Sequence, residues 1–398
     1  NHQYGLLRSD GQVLPPPTVC QVLHTLNVGG AELLAKQIAL RAAGRFRPVF
    51  VCLDEIGSLG KQLRDEGWIV EVVERRPGFD YRCAWRLANI MRIYDVQLVH
   101  AHQYAPFFYS ALARICGRQC PILFTEHGRE YPDFRRPKRV LANRWLVHDR
   151  DRIVGVGECV KSALIENEGL PANRVEVIYN GVDGNLFSPQ RPDRQIVRRE
   201  LSLDDHHIAV VQVARLDRLK DYQNGIRAMT EICRRCPQVR YFIVGEGVEC
   251  VSIAALIQDL GLHQQMVMLG LRSDVPRLLQ AMDMFMLSSI SEGIPLTLIE
   301  AMLSKLPSVV TRVGGMPEVV LDGQTGWLVA PQNPSEMAAR LLALVSSSQQ
   351  RERMGICARA RAEKLFQAEA MHAAYQKLYA ELSGGSRRSE RGNRLSAV

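Results

Sequence analysis

The feature that most constrains this chain is its rhythm, in which short, nearly continuous apolar runs alternate with helical stretches in two successive series. The first series has runs at 19–24, 48–53, 68–73, 98–101, 122–125, 153–156 and 175–178, separated by helical stretches such as 31–43, 83–94, 106–116 and 137–148. Short strands that alternate with helices close into βαβ units around a parallel sheet. Apolar runs without polar alternation are what strands covered on both faces require. Asn185-Leu-Phe-Ser-Pro-Gln-Arg-Pro-Asp193 breaks the rhythm with two prolines and no hydrophobic period, and reads as a linker. A second series follows at 208–213, 241–244, 266–269, 284–287 and 308–310, with helices near 221–235, 252–260, 276–282 and 295–304. Beyond Asn333 the pattern is helical, at 334–345, 349–366 and 368–382. The expected class is α/β, with two facing Rossmann-like domains at 18–188 and 189–366. The lead-in 1–17, with three successive prolines, and the Gly/Ser/Arg-rich basic tail 383–398 are expected to be trimmed or disordered ends.

Composition narrows the function. With 398 residues, 46% of them hydrophobic, the chain can bury two cores, and bulk disorder is excluded. The net charge is +8, but Arg387, Arg388, Arg391 and Arg394 against Glu390 place +3 in the tail, leaving 8 − 3 = +5 on the body. That is too mild for a nucleic-acid protein. Ten singly scattered cysteines exclude a disulfide scaffold, and Cys233-Arg-Arg-Cys236 lacks the second pair a zinc site needs. No apolar run reaches the ~18 residues of a membrane span and no signal peptide is visible, so a soluble cytoplasmic protein is expected.

Open α/β sheets bind ligands beyond the carboxyl ends of their strands. Ala214-Arg-Leu-Asp-Arg-Leu-Lys220 follows the first strand of the second series, and its Arg215 and Lys220 suit a diphosphate, one as a planar fork and one as a point charge. Two solvated loop bases are the plainer alternative. Only 8 of the 50 basic residues are Lys, which makes Lys220 the more conspicuous. Glu292-Gly-Ile-Pro-Leu-Thr-Leu-Ile-Glu300 follows the strand at 284–287. Gly293 permits a tight turn, Pro295 suits the first helical position, and the amides of Ile294, Leu296 and Thr297 would face an anion. Glu292 and Glu300 would flank one elongated ligand, and carboxylates beside a phosphate site call for hydroxyls, hence sugars. A capping acid and a solvated helical Glu are the alternative. Gly29-Gly30 between the first strand and helix is half of a dinucleotide fingerprint, a phosphate turn or simply a tight connection. Gly314-Gly315 reads as structural. His100 and His102 share a strand face, but with no third ligand a hydrogen-bonded structural role is favoured over a metal; His127, beside Gly128 at a strand end, is better placed to touch a reacting sugar.

Taken together, these residues resemble the retaining glycosyltransferases of family 4, which have the GT-B fold. The resemblance runs from about residue 18 to 382 and is carried most specifically by the Glu-x7-Glu pair, Glu292 and Glu300. Supporting it in order are Gly-Gly-Ala-Glu at 29–32, Val-His-Ala-His at 99–102, Thr-Glu-His-Gly at 125–128 and Val-Ile-Tyr-Asn-Gly-Val-Asp at 177–183. Arg-Leu-x3-Lys at 215–220, Val-Gly-Glu-Gly at 244–247, Leu-Gly-Leu-Arg-Ser-Asp-Val-Pro at 269–276 and Gly-Gly-Met-Pro-Glu-Val-Val at 314–320 complete the series. The resemblance implies a nucleotide-diphosphate sugar donor, UDP-sugar foremost, as co-substrate, with no cofactor and no metal. Arg215 and Lys220 would neutralise the diphosphate, Glu292 would hold the sugar near its anomeric carbon, and His127 would contact the sugar or its oxocarbenium-like transition state. Glu300 would bind the ribose, and Leu271 and Arg272 would meet the base by their backbone. Gly29, Gly30, Glu246, Gly293, Ile294, Pro295, Leu296 and Thr297 would complete the donor site. Retention would proceed on one face, the donor phosphate assisting acceptor deprotonation. The last helix, 367–382, would cross back to complete the first domain. Ala214 and Ile294 depart from the Gly and Phe common at those places.

The acceptor side carries less information. Segment 129–152 holds eight bases against four acids, with Tyr131, Phe134 and Trp145, and suits either a solvated face or an anionic membrane at its inner, cytoplasmic surface. The resemblance implies a glycan or lipid-linked acceptor in cell-surface polysaccharide or glycolipid synthesis. A nucleotide-sugar epimerase of the same fold and a non-catalytic sugar-nucleotide-binding subunit remain the alternatives.

Overall fold

The computed structural model describes residues 6–7, 13–128, 133–188 and 194–395. Within the lead-in, where disorder was expected, β1 (Leu6–Leu7) pairs antiparallel with β2 (Val13–Leu14), Leu6 opposite Leu14 and Leu7 opposite Val13. Contacts divide the chain into two compact units, one with the described residues up to Ile178 except Gly128 and those from Ala370, the other with Gly128 and Tyr179–Glu369.

The first unit is built on β3 (Thr18–Thr25), β4 (Arg47–Glu55), β5 (Val70–Val72), β6 (Val96–His102), β7 (Ile122–Glu126), β8 (Arg152–Gly155) and β9 (Val175–Val177). All pair in parallel, in the order β5-β4-β3-β6-β7-β8-β9. The second unit carries β10 (Ile208–Val213), β11 (Val239–Val244), β12 (Met266–Gly270), β13 (Met284–Leu287), β14 (Ser308–Thr311) and β15 (Gly326–Val329), again all parallel, in the order β12-β11-β10-β13-β14-β15. In each sheet the first strand lies between the second and the fourth. This is the doubly wound order, with its switch point beside that first strand.

Helices cover the sheets through faces set by the 3.6-residue period. On the helix Tyr222–Arg235, Tyr222, Ile226, Met229 and Ile232 are fully buried against Val210, Tyr241 and Met284. Each such side chain contributes roughly 1.5–3 kcal/mol by leaving water. All ten cysteines are free thiols; burial pushes Cys233 up to about 12, so the Cys233–Cys236 spacing belongs to a packed helix end.

The structure departs from the sequence expectations in several places. The division falls at Ile178 rather than 188, because residues just beyond it pack within the second unit: Tyr179 donates to Glu318, and Val182 pairs with Gln367. The linker residues 189–193 lie outside the described residues. β15, a Gly-Trp-Leu-Val strand, was not expected, since four residues bounded by a turn carry little period of their own; its register comes from β14. The last helix is Ala368–Leu395, continuing past Leu382 into the expected disordered tail. Ser383 is buried there and donates its hydroxyl to the carbonyl of Tyr379. Residues 396–398 lie outside the described residues.

Candidate functional site

In the second unit the switch point lies between β10 and β13, which pair Val210 with Met284 and Val211 with Phe285. The loops leaving these two strands carry the cations and the first carboxylate. After β10, Asp217 accepts from the Leu219 amide at 3.0 Å and closes a 3-10 turn over Arg218–Lys220. Asp221, at φ 43°, then caps the helix Tyr222–Arg235 by accepting from the Asn224 amide. The loop after β13 is tied to this turn: Ser288 donates its hydroxyl to the Lys220 carbonyl at 2.9 Å, and the Ile290 amide donates to the Leu219 carbonyl at 2.8 Å. Lys220 Nζ thereby lies 2.5 Å from Glu292 Oε1, and the Ser289 hydroxyl donates to the same oxygen at 2.7 Å. The Glu292 side chain is only 9% exposed and that of Lys220 20%, whereas Arg215 is 43% exposed, with Nε 3.8 Å from Asp217. Of the three ammonium donors of Lys220, one is engaged by Glu292. The site is thus a cation and a carboxylate already paired, beside a more exposed guanidinium.

Backbone contacts fix both loops. Gly314 has φ +49°, and a Cβ there would fall 1.8 Å from the Glu292 carbonyl oxygen; one on Gly315 would fall 2.5 Å from that of Gly293. The buried Asn180 donates to the Ile294 carbonyl at 2.7 Å. A Cβ on Gly245, at φ +138°, would fall 2.1 Å from the Ala214 carbonyl oxygen, and the Leu216 amide donates to the Glu246 carbonyl at 2.9 Å. Pro295 stands one position earlier than expected. It is the N-cap of Leu296–Leu303 rather than its first residue, because its ψ of 124° is extended. The first-turn amides of Leu296 and Thr297 therefore have no side-chain cap competing for them. Leu271 is exposed beyond β12, and the Arg272 side chain is held by Asp274 through two hydrogen bonds of 2.7 and 2.8 Å.

Glu300 lies in the second turn of Leu296–Leu303, where burial pushes its carboxyl up to about 7. The folded state therefore retains a proton that the unfolded chain, with an ordinary carboxyl, has already lost. Stability falls as pH rises from about 4.5 towards 7 and stays lowered above it. Glu300→Gln is expected to be more stable than the parent at pH 8, by about 1–3 kcal/mol, and no more stable at pH 5, as followed by urea unfolding at both values. A gain of the same size at pH 5 would trace it to packing instead.

The first unit offers two features. Gly29 is the extended N-cap, at φ −164°, of the thirteen-residue helix Gly30–Ala42, with no side-chain cap. The preceding turn is fixed by Asn27, which donates to Glu55 at 2.9 Å and accepts from the Ser58 amide at 3.2 Å. Beside it, at the ends of β6 and β7, the histidines form a hydrogen-bonded chain. His102 Nδ1 lies 3.1 Å from His127 Nε2, and His102 Nε2 lies 2.9 Å from Gln21 Oε1. His100 contacts Tyr379 at 2.7 Å and Thr125 at 2.8 Å. Burial holds His100 and His102 well below the usual histidine range, so both are neutral. Among the described residues no group of three or more His, Cys, Asp or Glu is arranged to hold a metal ion.

Residues 193–361 match the family Glycosyl transferases group 1, and residues 28–186 match Glycosyltransferase Family 4. The two matches together support a glycosyltransferase of the family 4 type. It is 25% identical over 308 residues to N-acetyl-alpha-D-glucosaminyl L-malate synthase of Bacillus anthracis, covering 76% of this chain and 79% of that one. It is 26% identical over 267 residues to UDP-Gal:alpha-D-GlcNAc-diphosphoundecaprenol alpha-1,3-galactosyltransferase of Escherichia coli, covering 63% and 66%. Among solved structures, the Anabaena protein HepE in complex with UDP and glucose superposes with a TM-score of 0.78 at 23% identity, covering 91% of this chain and 99% of that one. A glycosyltransferase of Rickettsia africae gives 0.79 at 22% identity, covering 93% and 99%. The two Rossmann-like units of this chain are of the GT-B type.

For this glycosyltransferase, sequence reasoning named Lys220 and Glu292 as candidates and missed that they pair and which residues hold them. Ser288, Ser289 and Asn180 carry no charge and no spacing rule, although Asn180 lies inside the Tyr-Asn-Gly-Val-Asp stretch that marked the resemblance. Gln21 and Tyr379, 358 positions apart, were invisible to any local pattern. Within the second unit Lys220 and Glu292 come together directly. Arg215, Glu246, Leu271, Arg272, Gly293, Ile294 and Glu300 belong to that same unit, while Gly29, Gly30 and His127 belong to the first.

Proposed function

We propose that this protein is a retaining glycosyltransferase that works without a metal, moving a hexose from a nucleotide-diphosphate sugar, UDP-sugar foremost, to a glycan or lipid-linked acceptor. The observation that carries it is the paired Lys220 and Glu292 at the switch-point ends of β10 and β13, with Arg215 on the same loop as Lys220. A leaving nucleoside diphosphate gains negative charge as the glycosidic bond breaks, and preorganised cations stabilise that charge without reorganisation. Arg215 and Lys220 take this role, the unengaged ammonium donors of Lys220 turning to phosphate oxygens. Glu292 holds sugar hydroxyls, Glu300 the ribose, and His127 the sugar near its anomeric carbon. Glu246 and the backbone at Leu271-Arg272 line the nucleotide. First-turn amides of Leu296–Leu303 and of Gly30–Ala42 supply further anion donors. The HepE complex with UDP and glucose supports a uridine donor, and the Escherichia coli relative's name supports a lipid-linked acceptor.

The test is incubation with a panel of nucleotide sugars and acceptors, in EDTA, following nucleotide release and the anomeric configuration of the product by NMR. Transfer with retained configuration in EDTA is expected. Sugar interconverted while still bearing its nucleotide would identify an epimerase, and no turnover with any donor a binding subunit.

Contact with an anionic membrane is part of the same proposal. No helix among the described residues is long and apolar enough to cross a membrane. On the helix Pro137–Leu146, Arg139 turns inward to Glu168 at 3.1 Å and Asn143 donates to the Glu168 carbonyl. That leaves Leu141 and Trp145 outward, 59% and 79% exposed, among exposed Arg135, Arg136, Lys138 and Arg144, with Phe134 also exposed. Exposed Trp amid bases is the composition of an interfacial helix. Residues 129–132 of this segment lie outside the described residues. Flotation with phosphatidylglycerol vesicles is expected for the parent and reduced several-fold in Trp145→Ala; equal recovery with neutral vesicles would remove this part of the proposal.

A further inference from the structure

Lys220 and Glu292 use the carboxyl edge of the second sheet, and a transferase needs a place for its second substrate as well. The first sheet has a carboxyl edge of its own. Three side chains meet there: His24, next to last in β3, Asp54, next to last in β4, and Arg75, just beyond β5. Arg75 donates to Asp54 twice, from Nε to Oδ1 at 2.7 Å and from a terminal nitrogen to Oδ2 at 3.2 Å, and His24 Nδ1 lies 3.1 Å from Oδ2. Arg75 is fixed in turn, its amide donating to the Leu53 carbonyl at 2.7 Å and its guanidinium carbon lying 5.7 Å from the ring centre of the buried Tyr109. The His24 side chain is 33% exposed, and its Nε2 has no hydrogen-bond partner among the described residues. Arg75 alone satisfies Asp54. What His24 adds is an oriented ring whose far nitrogen is left open.

We propose that His24, oriented by Asp54 and Arg75, binds the acceptor, its Nε2 accepting a hydrogen bond from a neutral sugar hydroxyl. This deepens the reading of the chain as a glycosyltransferase and rests on it.

The proton placement follows from the partner. Burial acts to raise the Asp54 carboxyl, but hydrogen bonds from Arg75 and His24 outweigh it and hold the group below its ordinary value, so it is ionised. A carboxylate only accepts, so neutral His24 carries its proton on Nδ1 and keeps a lone pair at Nε2. Turning the ring over would set a C–H against the carboxylate, so one arrangement alone satisfies the pair. A lone pair accepts from a hydroxyl and repels the oxygens of a phosphate or carboxylate, and the Asp54 charge behind the ring adds to that repulsion. The contact therefore selects a hydroxyl-bearing sugar over an anionic group.

The experiment uses the full chain with 15N-labelled histidine at pH 8 with UDP present. It is titrated with methyl glucoside, methyl galactoside and methyl N-acetylglucosaminide, and separately with inorganic phosphate. The His24 signals are assigned by their loss in His24→Ala. The parent is expected to show the Nδ1–H tautomer, and at least one glycoside to shift Nε2 saturably while phosphate does not. An Nε2–H tautomer or an imidazolium in the parent overturns the proposal, as does a shift with phosphate alone or with nothing. In transfer assays His24→Ala is expected to raise the acceptor KM about three- to tenfold, the worth of one neutral hydrogen bond, with kcat at saturating acceptor within about twofold. Asp54→Asn is expected to mix the two tautomers and to raise the acceptor KM in the same way, and serves should His24→Ala fail to fold. An unchanged acceptor KM in both overturns the proposal, and so does a kcat lowered a hundredfold or more in His24→Ala, which would make His24 the base at the reacting hydroxyl. Absence of transfer by the parent would overturn the reading as a glycosyltransferase, while the glycoside titration still decides whether His24 binds a hydroxyl.

Discussion

Lys220→Ala is expected to lower kcat about 10²- to 10³-fold, the cost of removing one preorganised group from a developing oxyanion, roughly 2.7–4 kcal/mol. Two effects combine. The diphosphate loses a point charge that the turn Arg218–Lys220 and its ties to Ser288 and Ile290 hold in place. Glu292, 9% exposed, also loses its cation and keeps the Ser289 hydroxyl, leaving a carboxylate to repel the incoming phosphates. The second effect makes the pair non-additive: Lys220→Ala with Glu292→Gln is expected to lose less than the product of the single losses. Lys220→Arg is expected to recover little, because a planar fork does not fit the space of an ammonium 2.5 Å from a carboxylate. Nucleotide release under saturating donor measures kcat, and thermal unfolding checks the fold. A merely structural ion pair would show the opposite result, a lowered Tm with turnover within a few-fold of the parent.

How much of this was legible in the sequence depends on what each residue interacts with. Strands such as β10 and β13 announce themselves because a strand buried on both faces must be apolar along its whole length. Lys220 and Glu292 were legible as candidates because they lie in the loops beyond the carboxyl ends of these strands, where open α/β sheets bind ligands. That they pair with one another, across 72 positions, was not legible, since it depends on how two loops meet at the switch point. Gly314-Gly315 read as a tight turn, and the turn is there; its reason lies outside its own neighbourhood, in the backbone of Glu292 and Gly293. The histidines at strand ends were legible as candidates, whereas the chain through Gln21 and Tyr379 needed the last helix to be placed in the first unit. β15 and the helical course of 383–395 went unread for a related reason: neither has an amphipathic period, and what fixes β15 is its neighbour in the sheet.

Gly314→Val is expected to abolish most of the activity and to destabilise the second unit by about 3 kcal/mol or more. At φ +49° Gly314 occupies the left-handed region, which a β-branched residue enters at a cost of order 1–3 kcal/mol even in open space. The space is not open: any Cβ would fall 1.8 Å from the Glu292 carbonyl oxygen, and that atom belongs to backbone rather than to a side chain that can swing aside. Relief requires the 292–294 turn to retreat. That turn is held on its other sides by Asn180 on the Ile294 carbonyl and by Lys220 and Ser289 on the Glu292 carboxylate. Moving it therefore pulls Glu292 away from Lys220 and displaces the first-turn amides of Leu296–Leu303 together. Gly314→Ala separates the two contributions, since alanine meets the same oxygen with less torsional strain. It is expected to unfold at a Tm between those of the parent and Gly314→Val, yet with kcat reduced nearly as far as in the valine variant, because the clash and not the strain moves the site. Equal stability of the alanine variant and the parent would mean that the Glu292 backbone yields freely, and the turn would then not be the rigid element that places the carboxylate.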